Sequence, residues 1–376
     1  MIQRRTRKLR PLGALVVAGV FGLTACGSPE GANGGSDAEA GAELPSKVEM
    51  VIPYSEGGGT DTWARFMIPY LEKHIKGDHT FVPENVPGGE SITGTNQFVQ
   101  SGGTDGGKVL VTSGTTYIQH LLGRKEVQYD FSKMRPLLLN GSGGVIYASR
   151  ASGIKSVEDL RNPPQKLSYA GISATGLDLN TLLAFDVLGI DLKATFGFEG
   201  RGPARLALER GEVNVDYQTS SAYKSQVEPM VKDGKAVPLM SFGLLRPDGT
   251  VVRDPNFPNL PTVEEVHQKL RGSKPSGKAY QAYKAFLGAG FAYTKGIWVN
   301  EGTPDSVVRS FYDAIPKIDK DKDFVAKSEE VIGGYDVHSG QEIGDAVNKA
   351  LSIDESKRNY VLRLLERKYD TKLETK

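Results

Sequence analysis

The sequence predicts an α/β protein organised as two lobes, and three observations carry that prediction. Short apolar runs alternate with polar loops and with segments of helical period, the pattern of strands feeding helices in mostly parallel sheets. The chain has 376 residues; setting aside a leader and a polar linker leaves about 330, more than one ordinary core organises. At four places, 53–61, 113–116, 171–176 and 199–203, a strand opens into a loop of Gly, Ser and Thr that begins a helix. Ligands of open α/β sheets sit beyond the carboxyl ends of the strands. Helix N-termini there offer unpaired N–H groups and a positive dipole end. Four such termini around one cleft would hold a small anion with backbone amides.

The elements follow in chain order. Arg4, Arg5, Arg7, Lys8 and Arg10 form a positive start, and residues 12–25 are an apolar stretch too short and too glycine-bearing to span a bilayer. Leu23-Thr24-Ala25-Cys26 matches the bacterial lipobox, an aliphatic residue and two small ones before a cysteine. Cys26 is the only cysteine, so no disulfide accounts for it. The expectation is a lipoprotein signal peptide over 1–25, acylation of Cys26, and a flexible linker over 26–43. Arg4-Arg5 hints at twin-arginine export, although the following residues fit that pattern poorly. No later apolar run approaches 18 residues, so the body is expected to be tethered to the outer membrane face by its acyl chains alone.

Residues 48–52 form an apolar run stopped by Pro53, which reads as a buried strand. Residues 62–73 have helical period, with Trp63, Phe66, Met67, Tyr70 and Leu71 on one side. Residues 81–83, 109–112 and 145–148 read as further strands. A strand at 167–170 leads into Gly171–Gly176 and a helix over 177–188. A strand at 194–198 leads into 199–203 and a helix over 204–210. Strands are expected at 213–217, 237–241 and 296–300, then a helix from about Pro304. Residues 319–375 read as mostly helical, charged and external.

Residues 1–25 carry five of the 46 basic residues and none of the 45 acidic ones, leaving 41 basic against 45 acidic. That balance gives no electrostatic case for nucleic acid. Gly102 to Lys108 fits G-x-x-x-x-G-K, but Val109 replaces the required hydroxyl residue and the motif precedes a strand, where a phosphate loop follows one. Gly171-Ile172-Ser173-Ala174-Thr175 falls one residue short of a nucleophile elbow. His74, His79, His120, His267 and His338 are scattered without an i, i+4 pair, which argues against zinc; His120 reads best as a packing histidine. No cofactor and no catalysis are expected. Tyr169, Tyr217 and Tyr223 either line a pocket or fill strand cores. Asp61, at a helix start, reads as a cap in preference to a ligand contact. Each glycine-rich loop alone is ordinary chain reversal with N-capping hydroxyls; it is the four together that point to binding.

Val51-Ile52-Pro53-Tyr54-Ser55-Glu56-Gly57-Gly58-Gly59-Thr60-Asp61, with Ala64-Arg65, resembles the V-P-F/Y-x-x-G-G-x-x-D-x-x-A-R signature that opens the substrate-binding receptors of tripartite tricarboxylate transporters. Val82-Pro83-Glu84-Asn85-Val86-Pro87-Gly88-Gly89 resembles their V-x-N-x-P-G segment, and Tyr129-Asp130-Phe131 loosely resembles another. Phe198-Glu199-Gly200-Arg201-Gly202-Pro203-Ala204 resembles Y-x-G-x-G-P-A. Gly211-Glu212-Val213-Asn214-Val215, Leu260-Pro261-Thr262-Val263-Glu264-Glu265 and Gly302-Thr303-Pro304 continue the series in the same order and spacing.

The resemblance implies a two-lobed periplasmic-binding-protein fold of type II-like architecture, with the cleft between lobes. Lobe one would comprise 44–145 and 240–376, and lobe two 146–239. It implies a lipid-anchored receptor at the extracytoplasmic face of the cell membrane. Such a receptor closes on a small carboxylate (a di- or tricarboxylate, an acidic amino acid or an aromatic acid) and delivers it to integral-membrane permease subunits. A receptor presenting its ligand to a sensor kinase would read the same way. Carried over by position, the ligand contacts are Ser55, Gly57, Gly58, Gly59, Thr60 and Asp61; Ser113, Gly114 and Thr115; and Ser173, Ala174, Thr175, Gly200 and Gly202. Glu56, Arg201, Gln218 and the long link 244–259 depart from the family pattern. Arg201 is expected either to grip a distal carboxylate of the ligand or to be a solvated loop arginine paired with Glu199 or Glu56.

Overall fold

The computed structural model describes residues 43–246 and 248–376. The expectations for the leader, for Cys26 and for the linker up to residue 42 lie outside the described residues. The chain runs β1 (Lys47–Ile52), α1 (Gly59–His74), β2 (Thr80–Asn85), α2 (Ile92–Ser101), β3 (Lys108–Ser113), α3 (Gly114–Leu121) and β4 (Met134–Asn140). Next come β5 (Gly144–Ser149), β6 (Ser168–Ala170), α4 (Asp178–Leu188), β7 (Lys193–Thr195), α5 (Arg201–Glu209), β8 (Val215–Thr219), α6 (Ser220–Ala222), α7 (Glu228–Lys232) and β9 (Ala236–Ser241). A small hairpin, β10 (Leu244–Leu245) and β11 (Val251–Val252), occupies the long link and is followed by α8 (Val263–Arg271) and α9 (Gly277–Leu287). The chain ends with β12 (Lys295–Asn300), α10 (Asp305–Ile318), α11 (Lys322–Ile332), β13 (Val337–His338), α12 (Gln341–Ala350) and α13 (Glu355–Tyr369).

Two sheets form, ordered β13-β4-β12-β3-β1-β2 and β7-β6-β8-β5-β9. They are mixed, not mostly parallel as expected. Strand β1 is parallel to β2 and β3, and β6 to β7 and β8, whereas β12 is antiparallel to β3 and β4, and β5 to β8 and β9. For β5 the cause is a direct crossing. Only Gly141-Ser142-Gly143 separates β4 from β5. The chain therefore leaves one sheet and enters the other on the same side, and β5 runs opposite to β8, its Gly144 pairing with Thr219.

Strand alternation explains how both faces of each sheet are buried. Val48, Met50, Ile52, Val109, Val111, Ile297 and Val299 pack with Trp63, Met67, Leu71, Phe311 and Ile315 of α1 and α10. Their neighbours Val51, Leu110 and Trp298 face the opposite way, into a core with α3, α4, α9 and α13. In the second sheet Ile146 and Ala148 join that same core, while Val145 and Tyr147 pack under α5 with Ala204, Ala207 and Leu208. Strands buried on both faces read as continuous apolar runs, which is why β1, β3 and β12 are visible in the sequence. Helices α8 and α9 pack on α4, and α13 packs on α9.

Strand β4 lies outside the expected strands, and its Pro136 is a residue that central strands rarely carry. The ladder accommodates it by shifting register between Ile297 and Trp298, opposite Pro136. Pro238 in β9 is tolerated the same way, opposite a shift between Ile146 and Tyr147.

Candidate functional site

The carboxyl ends of β1, β3, β4 and β8 and the start of β12 border one cleft, a cavity of about 930 Å³. Of the expected ligand contacts, Ser55, Gly57, Gly58, Gly59, Thr60, Ser113, Thr115, Ser173 and Arg201 line it. Asp61, Gly114, Ala174, Thr175, Gly200 and Gly202 are absent from that lining.

The first loop is locked by its own carboxylate. Gly57 has φ +71°, a left-handed conformation that glycine adopts without strain. Its N–H donates to Asp61 Oδ2 at 2.9 Å. Asp61 also accepts from Arg65 Nε at 2.9 Å and Asn85 Nδ2 at 3.0 Å. Burial alone would raise the Asp61 carboxyl, but these bonds outweigh it and hold the group below its ordinary value. Asp61 therefore ties the loop to the first turn of α1, but it is not the cap: that position is Gly58, which no side chain caps.

The second loop carries a capping box. Ser113 Oγ accepts from Thr115 N–H at 3.2 Å, and Ser113 N–H donates to Thr116 Oγ1 at 3.2 Å. The Tyr54 hydroxyl lies 2.6 Å from Ser113 Oγ and 2.8 Å from Thr116 Oγ1. Gly114 is required for packing and not for close approach of a ligand: a Cβ there would fall 2.3 Å from Gly290 O and 2.7 Å from Leu177 Cδ2.

In the third loop the expected ligand donors are already engaged. Ser173 Oγ donates to Glu90 Oε1 at 2.6 Å, Thr175 Oγ1 donates to Glu90 Oε2 at 2.5 Å, and Gln119 Nε2 donates to the same oxygen at 2.6 Å. Asp178 accepts from Ile172 N–H at 2.9 Å and Ser173 N–H at 3.1 Å. Ala174 is buried.

Arg201 corrects both expectations made for it. Its guanidinium lies between the Tyr169 and Tyr217 rings, 5.3 and 4.5 Å from their centroids. It pairs with Asp178 at 2.8 Å and with Asp216, and donates to Ala170 O, Tyr217 O and the Tyr169 hydroxyl. With its donors taken by the chain, it is neither a grip for a distal carboxylate nor a solvated loop residue. The elements explain this: Arg201 opens α5, and Asp178 opens α4, so two helix starts of one sheet meet over β8, which carries Asp216. Gln218 Nε2 donates to Arg201 O at 3.0 Å and to Asp216. Tyr217 lines the cleft, Tyr169 is buried, and Tyr223 packs on Tyr147 and Phe257 in the core. Glu56 is exposed outside the lining. His120 packs on Tyr129 and Phe131.

Sequence reasoning missed Lys295. It begins β12, paired with Ser113 on one side and Asn140 on the other, which sets it at the cleft. Its Nζ donates to Thr60 Oγ1 at 2.5 Å. Among the described residues no carboxylate lies within ion-pair distance of it, and burial pushes its pKa down to about 7. Trp63, one helical turn from Thr60, lines the same cavity, and its buried indole N–H has no acceptor among the described residues. One wall therefore carries a buried N–H without an acceptor and an ammonium without a counter-charge, which native structures rarely permit without a ligand or water to fill the place. The available signal was a lysine heading the apolar run Gly296-Ile297-Trp298-Val299. The antiparallel sense that turns this lysine toward the cleft is not written in that run.

Among the described residues no group of three His, Cys, Asp or Glu side chains is placed to hold a metal ion. None of the described helices is long and apolar enough to cross a membrane.

No family model and no curated protein matches the chain. Solved structures do. A TctC solute-binding protein from Polaromonas is 19% identical, with TM-score 0.58, covering 85% of this chain and 98% of that one. MatC from Rhodopseudomonas palustris, solved with bound malate, is 18% identical, with TM-score 0.58, covering 85% and 99%. A second R. palustris protein, solved with adipate, is 19% identical, with TM-score 0.60, covering 85% and 96%. The similarity spans nearly the whole length of these binding proteins, and the chain has their two-lobed, mixed α/β fold, that of the periplasmic solute-binding proteins.

Proposed function

We propose that the protein is an extracytoplasmic receptor that binds a small carboxylate in this cleft and delivers it to the permease of a tripartite tricarboxylate-type transporter, without catalysis. The observation that carries the reading is Lys295, a cation on the cleft wall with no carboxylate among the described residues to neutralise it. A ligand carboxylate meeting this ammonium, the Trp63 N–H and the amides at the start of α1 makes charge-assisted bonds in a partly dry site. The malate and adipate held by two structural neighbours support a carboxylate as the ligand class. The Leu23-Thr24-Ala25-Cys26 motif supports attachment through Cys26. Residues 44–145 with 240–376, and residues 146–239, are the segments proposed to close on the ligand, with α8 and α9 following α4.

Native mass spectrometry of freshly purified protein, followed by calorimetry with the small carboxylate it releases, tests the receptor reading. A bound carboxylate that Lys295→Met fails to retain is expected. A wild-type protein that binds no carboxylate refutes it. Cys26→Ser tests the anchor separately: the variant should leave the membrane fraction, and continued membrane association would reject acylation.

A further inference from the structure

We infer that the cleft selects a ligand carrying one carboxylate and one ammonium group, an amino acid in place of a dicarboxylate, and that Glu90 makes the selection. The inference rests on the carboxylate-receptor reading and goes further, because it assigns opposite charges to two walls of one cavity. The cationic wall is Lys295. The facing observation is Glu90, which lines the same cavity. Its two oxygens accept from the Ser173 and Thr175 hydroxyls and the Gln119 amide, and no Lys, Arg or His among the described residues pairs with it.

That arrangement decides what the wall can recognise. Ser173, the one of the two hydroxyl residues that lines the cavity, gives its proton to Glu90 and accepts from the Thr175 N–H, so it has no donor left to offer a ligand. A second ligand carboxylate would bring acceptors to acceptors and negative charge to negative charge. An ammonium brings three donors and the missing counter-charge. Arg201 offers no relief, since one guanidinium already serves both Asp178 and Asp216. The two poles are close in the fold. Lys295 pairs with Ser113, two residues before Thr115, and a Cβ on Gly176 would touch Thr115 Oγ1 at 3.5 Å.

Glu90 is also held in place. It has φ +57° and Ser91 φ +80°, left-handed values that non-glycine residues adopt only when their surroundings impose them. A carboxylate fixed by three donors on a constrained backbone is a permanent feature of the wall, where a mobile side chain would swing aside for a dicarboxylate.

The test is calorimetry on the full chain with straight-chain amino acids, the ammonium placed at either available carbon, each paired with the dicarboxylate of equal length. Wild type should bind at least one amino acid about tenfold or more tighter than its dicarboxylate partner. Glu90→Gln, and Glu90→Gly, which suits the left-handed backbone, should each reduce that ratio below about threefold, while Lys295→Met should weaken both ligand classes. A dicarboxylate that binds tighter than every amino acid, or a ratio unchanged in both Glu90 variants, overturns the inference and leaves the receptor reading intact. Failure of wild type to bind either class also overturns the inference, whereas binding indifferent to Lys295 refutes the receptor reading itself.

Discussion

Ligand affinity should fall as pH rises through neutrality, and Lys295 should be the cause. Burial holds this lysine at about pKa 7 in the unliganded cleft, against about 10.4 for a free side chain. A bound carboxylate favours the ammonium and raises the pKa again. Below pH 7 the ammonium is already present and affinity is flat. Above it, binding must take up a proton, and affinity drops about tenfold per pH unit until the pKa of the complex is reached. Between pH 6 and pH 9 the free lysine goes from about nine-tenths to about one-hundredth protonated, so the apparent affinity should fall by roughly 90-fold. Calorimetry in buffers of different ionisation enthalpy would show both the loss and the uptake of one proton. The unliganded protein gives an independent check. Because the folded pKa is depressed, the unfolded chain binds the extra proton between about pH 7 and 10.4, and stability must rise with pH across that window. Lys295→Met should remove both dependences and be the more stable protein at pH 6. A wild-type affinity that changes less than about threefold over the range, or an identical profile in the methionine variant, would refute the reasoning.

Much of the scaffold was legible because double-sided burial leaves apolar runs, as in Val48 to Ile52, and because each of the four loops follows a strand. The mixed sheets were not legible, since strand direction depends on where the chain passes between the sheets, as at 141–143 for β5, and not on any local pattern. Loop positions translated into cleft lining for Ser55, Thr60 and Thr115, but not into chemistry for every residue. Thr175 and Arg201 carry the right side chains for binding an anion, yet Glu90, Asp178 and Asp216 satisfy them from elsewhere in the chain. Lys295 escaped for the opposite reason: a single lysine heading a strand is ordinary, and only its lack of a carboxylate partner after folding makes it unusual. Polar sites are the part of a fold that depends most on long-range pairing, and so the part a local reading of sequence recovers least.

Three substitutions separate packing from binding. Gly114→Ala should destabilise the fold by about 1–3 kcal/mol through the clash with Gly290 O, whereas Gly202→Ala, whose Cβ meets open space, should stay within about 0.5 kcal/mol; thermal melts distinguish them, and equal melting temperatures would reject the packing role. Trp63→Phe removes the unmatched indole N–H and some core volume, so stability should fall by about 0.5–3 kcal/mol while affinity falls roughly ten- to a hundredfold, the worth of one charge-assisted bond; unchanged affinity by calorimetry would place the ligand away from Trp63. Arg201→Ala discriminates most sharply between a ligand contact and a structural cation. Asp178 and Asp216 have side chains only 2% and 0% exposed, and removing their shared guanidinium leaves two buried carboxylates without a cation, at a cost of about 3–5 kcal/mol. The urea midpoint at pH 7 should drop accordingly. If Arg201→Ala keeps the wild-type midpoint and loses only ligand affinity, the guanidinium faces the ligand and its assignment to the chain's own carboxylates is wrong.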